Sequence, residues 1–559
     1  RSDLTPVIVP PEAIDPNQQN PGSTNQLNDN AVGRLDTTQP RRPSRFGDST
    51  QNQPDHWSGY TTPDINRALG KVTIPPKSPT LAKLWRQLWV DDARTPQGTS
   101  GQSDFQTLRF EVLSRSGLGS DAQQIYQRME QTGNASGAVP TLASARAALS
   151  ENDNDLACER SKKLAKIAGD LPDTATVEAL LLRGYCALVS DDQAAANLIA
   201  TLARDSGIPD SPGLIALEAG KFSSPRPLSS KAAQKGRLSV VETKLWQRAG
   251  GSLTAVAKNK SASAEALIGL ATDETTPGVV RILAAENAAK RRIINGRTLA
   301  KVYDNVASKG SASKDAAIAR ANLYTTAKSE RTPFKKVRAI RAYLDNAKRA
   351  ELYRHALELM GPVAAEVNPA AEITWFSETA IEAALVSGDV TRARRWISFA
   401  AATDPDATGN LDHWAALSDV LDPPGKTERE NALRSVEQMA LDGRFGANAL
   451  HRLATVLDAL NFHVPIPLWE AASRTPQPSG GHLPETGVLS KLQSASKERR
   501  FGQTVLYTMQ TIGPGTAAQA NMLALGDAIR ALKRAGYPDA ARDLGFEALF
   551  AVWPRRSTG

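Results

Sequence analysis

From residue 80 onward, apolar side chains recur every three or four positions, the spacing that lines one face of an α-helix. Leu81, Leu84, Trp85 and Leu88 share such a face, and Phe105, Leu108, Val112 and Leu113 share the next. Segments of about 12 to 20 residues follow, divided by short breaks that hold Gly, Pro, Asp or Asn. The pattern predicts an all-α chain. Residues 1–79 read differently. They are rich in Pro, Asn, Gln, Ser, Thr and Asp and poor in aliphatics, and they show no helical period. Such a stretch buries too little surface to offset its ordering entropy, so a long disordered or extended tail is expected. Pro75-Pro76-Lys77-Ser78-Pro79 ends it. The tail holds two clusters that suit anchoring on a partner: Arg41, Arg42, Arg45 and Phe46, then Trp57 and Tyr60;. The alternative is a linker with incidental aromatics.

Two sequential stretches carry an apolar helix, a Gly-containing turn with an Asp, and a second helix with small residues at the tight contact. They are Ala380–Trp396, with Ser387-Gly388-Asp389 at the turn, and Ala528–Leu544, with Gly536-Tyr537-Pro538-Asp539. Residues 184–202 and 143–164 match more weakly, the latter around Asn152-Asp153-Asn154-Asp155. These stretches resemble the helix pairs of tetratricopeptide repeats, whose small residues let neighbouring helices approach closely. The full 34-residue consensus is not met, so the expected fold is an irregular, degenerate helical-hairpin solenoid. In character it is similar to the superhelical domains of bacterial periplasmic proteins, including the helical portion of soluble lytic transglycosylases. The expected divisions are a tail over 1–79, helical repeats over 80–220, a basic helical segment over 221–350, further repeats over 351–474, and a loop with C-terminal hairpins over 475–559. Thr475-Pro476-Gln477-Pro478-Ser479-Gly480-Gly481 marks that loop.

Composition adds a compartment. Hydrophobic residues make up 41% of the 559 and aromatics only 5%, which suits a chain buried through close helix contacts. No window approaches the apolar length of a membrane span. The chain begins at Arg1 with no apolar leader, as a mature chain does once its signal peptide is removed; a chain trimmed at that point reads the same. There are two cysteines. Cys158 falls in a helix expected over 155–168 and Cys186 in one over 174–189, and the two are equidistant from Pro172 in the intervening turn. In an antiparallel hairpin, residues equidistant from the turn lie side by side. A disulfide is therefore expected, adding about 3–4 kcal/mol in the chain-entropy model and implying an oxidising compartment such as a periplasm. The alternative is two small buried thiols at a helix contact.

Motifs of catalysis are missing. His56, His355, His413, His451, His463 and His482 form no metal-ligand spacing, and no phosphate loop, dinucleotide fingerprint or nucleophile elbow occurs;. No cofactor is expected. The resemblance to lytic transglycosylases would require a general-acid glutamate in a following domain. Glu485 and Glu498 stand there, but their neighbours do not match the Glu-Ser motif and too few residues follow them.

Charge is the strongest remaining signal. The whole chain carries +8. Residues 221–350 hold 26 Lys+Arg against 9 Asp+Glu, a net of +17 counted from the sequence, so the rest nets −9. The candidate binding residues are Lys290, Arg291, Arg292, Lys335, Lys336, Arg338 and Arg341, the last four on a helix begun by Pro333 at its first position. Trp375-Phe376 and Trp396 read as core packing in preference to a ligand-binding pair. The expectation is a non-catalytic periplasmic scaffold or adaptor of a Gram-negative envelope, possible hosts being motility or other envelope assemblies. Its partners would be other proteins of the assembly, an anionic envelope polymer or a lipid surface. Nucleic acid fits poorly, since few aromatics interleave the cations. The alternatives are a divergent peptidoglycan-cleaving enzyme and a cytoplasmic tetratricopeptide-type adaptor.

Overall fold

A recurring turn ends seven of the described helices. At Asn152, Asp191, Arg292, Glu351, Asn461, Gly388 and Gly536 the backbone enters the left-handed region, with φ between 57° and 97°. The next N–H then bonds to the carbonyl five residues back: Asp153 to Ala148, Asp389 to Ala384 and Tyr537 to Leu532, each at 2.9 Å. The motif occupies carbonyls that a helix end leaves open. In Asn152-Asp153, Asp191-Asp192 and Gly388-Asp389 the residue after the turn already caps the following helix. The carboxylates of Asp153, Asp192 and Asp389 accept the N–H groups of Leu156, Ala195 and Arg392;. Two residues thus suffice to end one helix and start the next.

The computed structural model describes residues 55–96, 102–133, 137–167, 171–206, 210–228, 238–307, 315–403 and 411–555. It places 27 α-helices there, and among the described residues there is no strand, only a bridge joining His482 and Ala520. Helices pack in successive pairs, including Ala138–Ser150 with Asn154–Leu164, Ala316–Ser329 with Pro333–Arg349, Ser377–Val386 with Val390–Thr403, and Met522–Arg534 with Pro538–Phe550. The expected all-α solenoid of paired helices is what the chain forms. Cys158 and Cys186 form the expected disulfide across the hairpin about Pro172, with Cα atoms 5.5 Å apart.

The array also closes on itself. Helix Pro79–Val90 packs against Phe501–Ile512 and Pro538–Phe550 near the other end of the chain. The buried carboxylate of Glu547 accepts the Ser78 hydroxyl at 2.6 Å, the Ala517 N–H at 2.9 Å and the Thr80 N–H at 3.5 Å. Ser78 in turn accepts the Leu81 N–H, so Glu547 and Ser78 together satisfy the open start of Pro79–Val90. A second buried carboxylate, Glu382, accepts the Tyr353 hydroxyl and the Arg555 guanidinium, both at 2.5 Å. The middle, the start and the end of the folded array therefore meet.

Residues 55–79, expected within the tail, belong to this closure. Trp57 is 2% exposed, its ring 4.8 Å from Trp89 and 5.5 Å from Phe105. Tyr60 is buried beside Tyr507. Gly502 donates its N–H to the His56 carbonyl at 2.9 Å, and a Cβ at Gly502 would sit 2.4 Å from that oxygen, so only glycine permits the approach;. Thr61 and Asp64 form a capping box that starts helix Thr62–Leu69;. Trp57 and Tyr60 are thus core residues, because the apolar surface they cover belongs to their own chain. Arg41, Arg42, Arg45 and Phe46 lie outside the described residues.

Glu547→Ala should lower stability by about 3 kcal/mol, since it strips acceptors from buried donors. Urea unfolding measures this, and limited proteolysis should find cleavage within 55–90 before the rest of the chain. A variant with wild-type stability and cleavage pattern would remove Glu547 from the closure.

A candidate binding surface on the basic segment

Most acids of residues 221–350 are drawn inward or paired, while Glu274 stays exposed. Glu286 is 5% exposed and takes a two-pronged contact from Arg320 at 2.6 and 2.7 Å, plus the Tyr303 hydroxyl at 2.9 Å. Asp273 is buried against Lys244 at 2.9 Å; hydrogen bonds from Thr275, Lys244 and Gln247 outweigh its burial and hold its carboxyl below the usual range. Glu265 is buried and Glu242 half-buried. At the surface Asp304 pairs with Lys328 and Asp345 with Arg341. The exposed cations are numerous by comparison: Lys258 and Lys260, Lys290, Arg297 and Lys301, then Arg331, Lys335, Arg338, Lys348 and Arg349. An outward field of one sign results, strongest where salt is low.

The seven candidate residues divide into two groups. Lys290, Lys335 and Arg338 are exposed. Arg292, in the left-handed residue that ends helix Gly278–Lys290, pairs with Glu358 at 2.9 Å. Arg291 donates to the Ala262 carbonyl at 2.7 Å. Lys336 is buried, its ammonium on Glu366, and Arg341 reaches Thr379 and Asp345. These four tie neighbouring helices together. Arg292 and Lys336 both use acids of helix Tyr353–Ala364 or the turn just after it, so one helix draws a cation from each of the two basic clusters. Period-3.6 spacing applied to the cations would have separated them: Lys336 falls on the apolar face with Val337, Ile340 and Leu344, whereas Lys335 and Arg338 fall opposite;.

Other candidate chemistry is enclosed or structural. Phe376 and Trp396 are fully buried, edge to face at 6.1 Å, while Trp375 is 44% exposed. Glu485 pairs with Lys71 and Glu498 with Arg500, both at the surface at 2.5 Å. His413, His451 and His482 bond to the carbonyls of Pro554, Thr475 and Gln510, and no metal-binding cluster occurs among the described residues. Burial, with Arg292 and Arg354 close by, holds the His355 imidazole down at about 4. Glu265 is fully enclosed. It bonds to Ser114, and the nearby Arg146 is bonded to Glu178. Burial pushes the Glu265 carboxyl up to about 7, against the pull of Arg146 and Ser114. Sequence reasoning missed this cluster, which joins positions 114, 146, 178 and 265 across four helices.

Compared with protein-family models, with curated proteins and with solved structures, the chain matches none.

Glu265 binds its proton more tightly folded than unfolded, where its value is 4.5. Its contribution to stability is therefore full below about 4.5 and lost as pH rises through about 7. Between pH 5 and pH 8 the wild type should lose stability relative to Glu265→Gln, by at most about 3 kcal/mol. Because His355 is present in both proteins, its opposite dependence cancels in the difference. Parallel stability curves from denaturant titrations would refute the assignment.

Proposed function

We propose that this chain is a non-catalytic scaffold of an oxidising, extracytoplasmic compartment, a bacterial periplasm, that docks anionic envelope components through the outer face of its basic segment. The observation that carries this reading is the sorting of charge over residues 221–350. Glu242, Glu265, Asp273 and Glu286 are buried or half-buried, while Lys335, Arg338, Arg349 and their neighbours stay outside. Sorting of this kind leaves a field that attracts anions and steers their approach. The Cys158–Cys186 bond supports that compartment, since such a linkage persists where thiols are not kept reduced. No described helix is long and apolar enough to cross a membrane. The helix pairs also resemble those of superhelical periplasmic domains, which supports a scaffold role by analogy of fold.

The test uses purified chain as bait in an envelope extract. The wild type should retain partners in a salt-dependent way, and Lys335→Glu/Arg338→Glu/Arg349→Glu should lose them, with both proteins equally stable. Recovery of the same partners at the same salt dependence would exclude the basic face. Alkylation of the native, unreduced chain should modify neither cysteine, before or after denaturation; two reactive thiols would remove the case for export. Release of muropeptides from purified sacculi would replace the scaffold by a peptidoglycan-cleaving enzyme.

A further inference from the structure

Helix Pro333–Arg349 buries Lys336, Val337, Ile340, Tyr343, Leu344 and Ala347. Its opposite face rises through Phe334, Lys335, Arg338, Ala342, Asp345 and Arg349, steps of three or four residues that keep them in one exposed stripe;. Phe334 stands in the first turn, just after Pro333, and is 42% exposed, with the Arg338 guanidinium 5.7 Å above its ring. The short helix Ala371–Phe376 packs against this helix. That short helix buries Ile373 and Phe376 and leaves Trp375 outside. Two adjoining elements thus each present a large aromatic ring, Phe334 inside the basic segment and Trp375 beyond it in sequence. Glu372 is the exposed acid of the short helix, and Glu330 is occupied with the Arg331 and Thr332 N–H groups.

We propose that Phe334 and Trp375, flanked by Arg331, Lys335 and Arg338, form a docking patch for a bilayer surface rich in anionic phospholipid. This deepens the reading of the basic face as a docking surface and rests on it. Amphipathic aromatic rings settle at the boundary between headgroups and acyl chains, while long basic side chains reach back to the phosphates. The Arg338 guanidinium over the Phe334 ring combines both in one unit: the ring supplies apolar area and the cation supplies a headgroup contact. An acidic protein would satisfy the cations but gives no reason for an exposed ring under Arg338 and a second on the element packed against the same helix. Charge complementarity with an anionic leaflet accounts for both features, each basic residue near the surface being worth about five-fold in binding.

Sedimentation with vesicles tests the proposal. The full chain should bind phosphatidylglycerol-containing vesicles at low salt and bind pure phosphatidylcholine vesicles at least ten-fold more weakly. Phe334→Ser/Trp375→Ser should reduce binding at least five-fold while keeping the salt dependence. Lys335→Glu/Arg338→Glu should abolish both binding and salt dependence. Trp469→Ser removes another exposed ring, 47% exposed on helix Ile466–Ser473, and should bind as the wild type does. Circular dichroism and melting confirm that each variant is folded. Equal binding to both vesicle types, or unchanged binding by the aromatic variant, overturns the proposal. If vesicles are ignored but charge-sensitive capture from the envelope extract persists, the lipid surface is overturned and the scaffold reading stands; if both fail, both fall.

Discussion

Glu547 is the constraint on which the closed architecture depends. A carboxylate taken out of water costs several kcal/mol unless donors replace its hydration. Here the donors are the groups that a helix leaves open at its start: the Thr80 N–H, the Ala517 N–H, and a Ser78 hydroxyl that itself accepts from Leu81. The buried Glu547 carboxylate thus satisfies the beginning of helix Pro79–Val90 and of the short helix Ala517–Gln519. The positive end of a helix dipole favours this placement as well. A solenoid needs no such contact, because each repeat leans only on its neighbours. Closure converts a one-dimensional stack into a body in which the termini stabilise each other.

Closure also explains where the long side chains go. Arg354 lies over the Phe550 ring at 5.6 Å and pairs with Glu358, and Arg555 lies over the same ring at 4.9 Å while holding Glu382. Central helices that would border solvent in an open array instead meet the C-terminal helix, so their charges need internal partners. Arg292 and Lys336 are used in this way on Glu358 and Glu366. Of the cations left outside, Lys335 and Arg338 lie opposite the buried face of their helix.

Much of the fold was legible in the sequence because it is local. Leu81, Leu84, Trp85 and Leu88 are all buried as their spacing requires. The turns at Gly388-Asp389 and Gly536 announce helix hairpins through residues that suit a left-handed ending and an N-cap;. The disulfide followed from symmetry about Pro172. What was not legible is long-range. Ser78 and Glu547 are 469 positions apart, and no period connects them. Trp57 and Tyr60 were hidden by the low-complexity stretch before them, although Thr61-Thr62-Pro63-Asp64 carries a helix-start signal of its own;. Of the candidate site, the basic segment was visible as a count, but a count does not record facing, so Lys335 and Lys336 could not be separated by charge alone.

The same distinction bears on what the basic face means. A net of +17 over residues 221–350, counted from the sequence, would have little consequence if each cation had an acid beside it, for exposed pairs contribute little and cancel one another's field. Of the segment's acids, Glu286 and Asp273 are held by Arg320 and Lys244, Glu242 serves a helix cap and Glu265 is enclosed, while Asp304 and Asp345 pair with surface cations and Glu274 is exposed. Burying Glu286 with Arg320 and Asp273 with Lys244 neutralises those pairs locally, and described cations such as Lys335, Arg338 and Arg349 remain outside;. Within about one Debye length, 8 to 10 Å at moderate salt, those exposed cations act together on whatever approaches. Holding Lys335, Arg338, Lys348 and Arg349 on one packed helix fixes their spacing. Charge sorting in the segment is therefore local, set by contacts such as Arg320 on Glu286 and Lys244 on Asp273, while closure rests on Glu547 and Glu382 outside it.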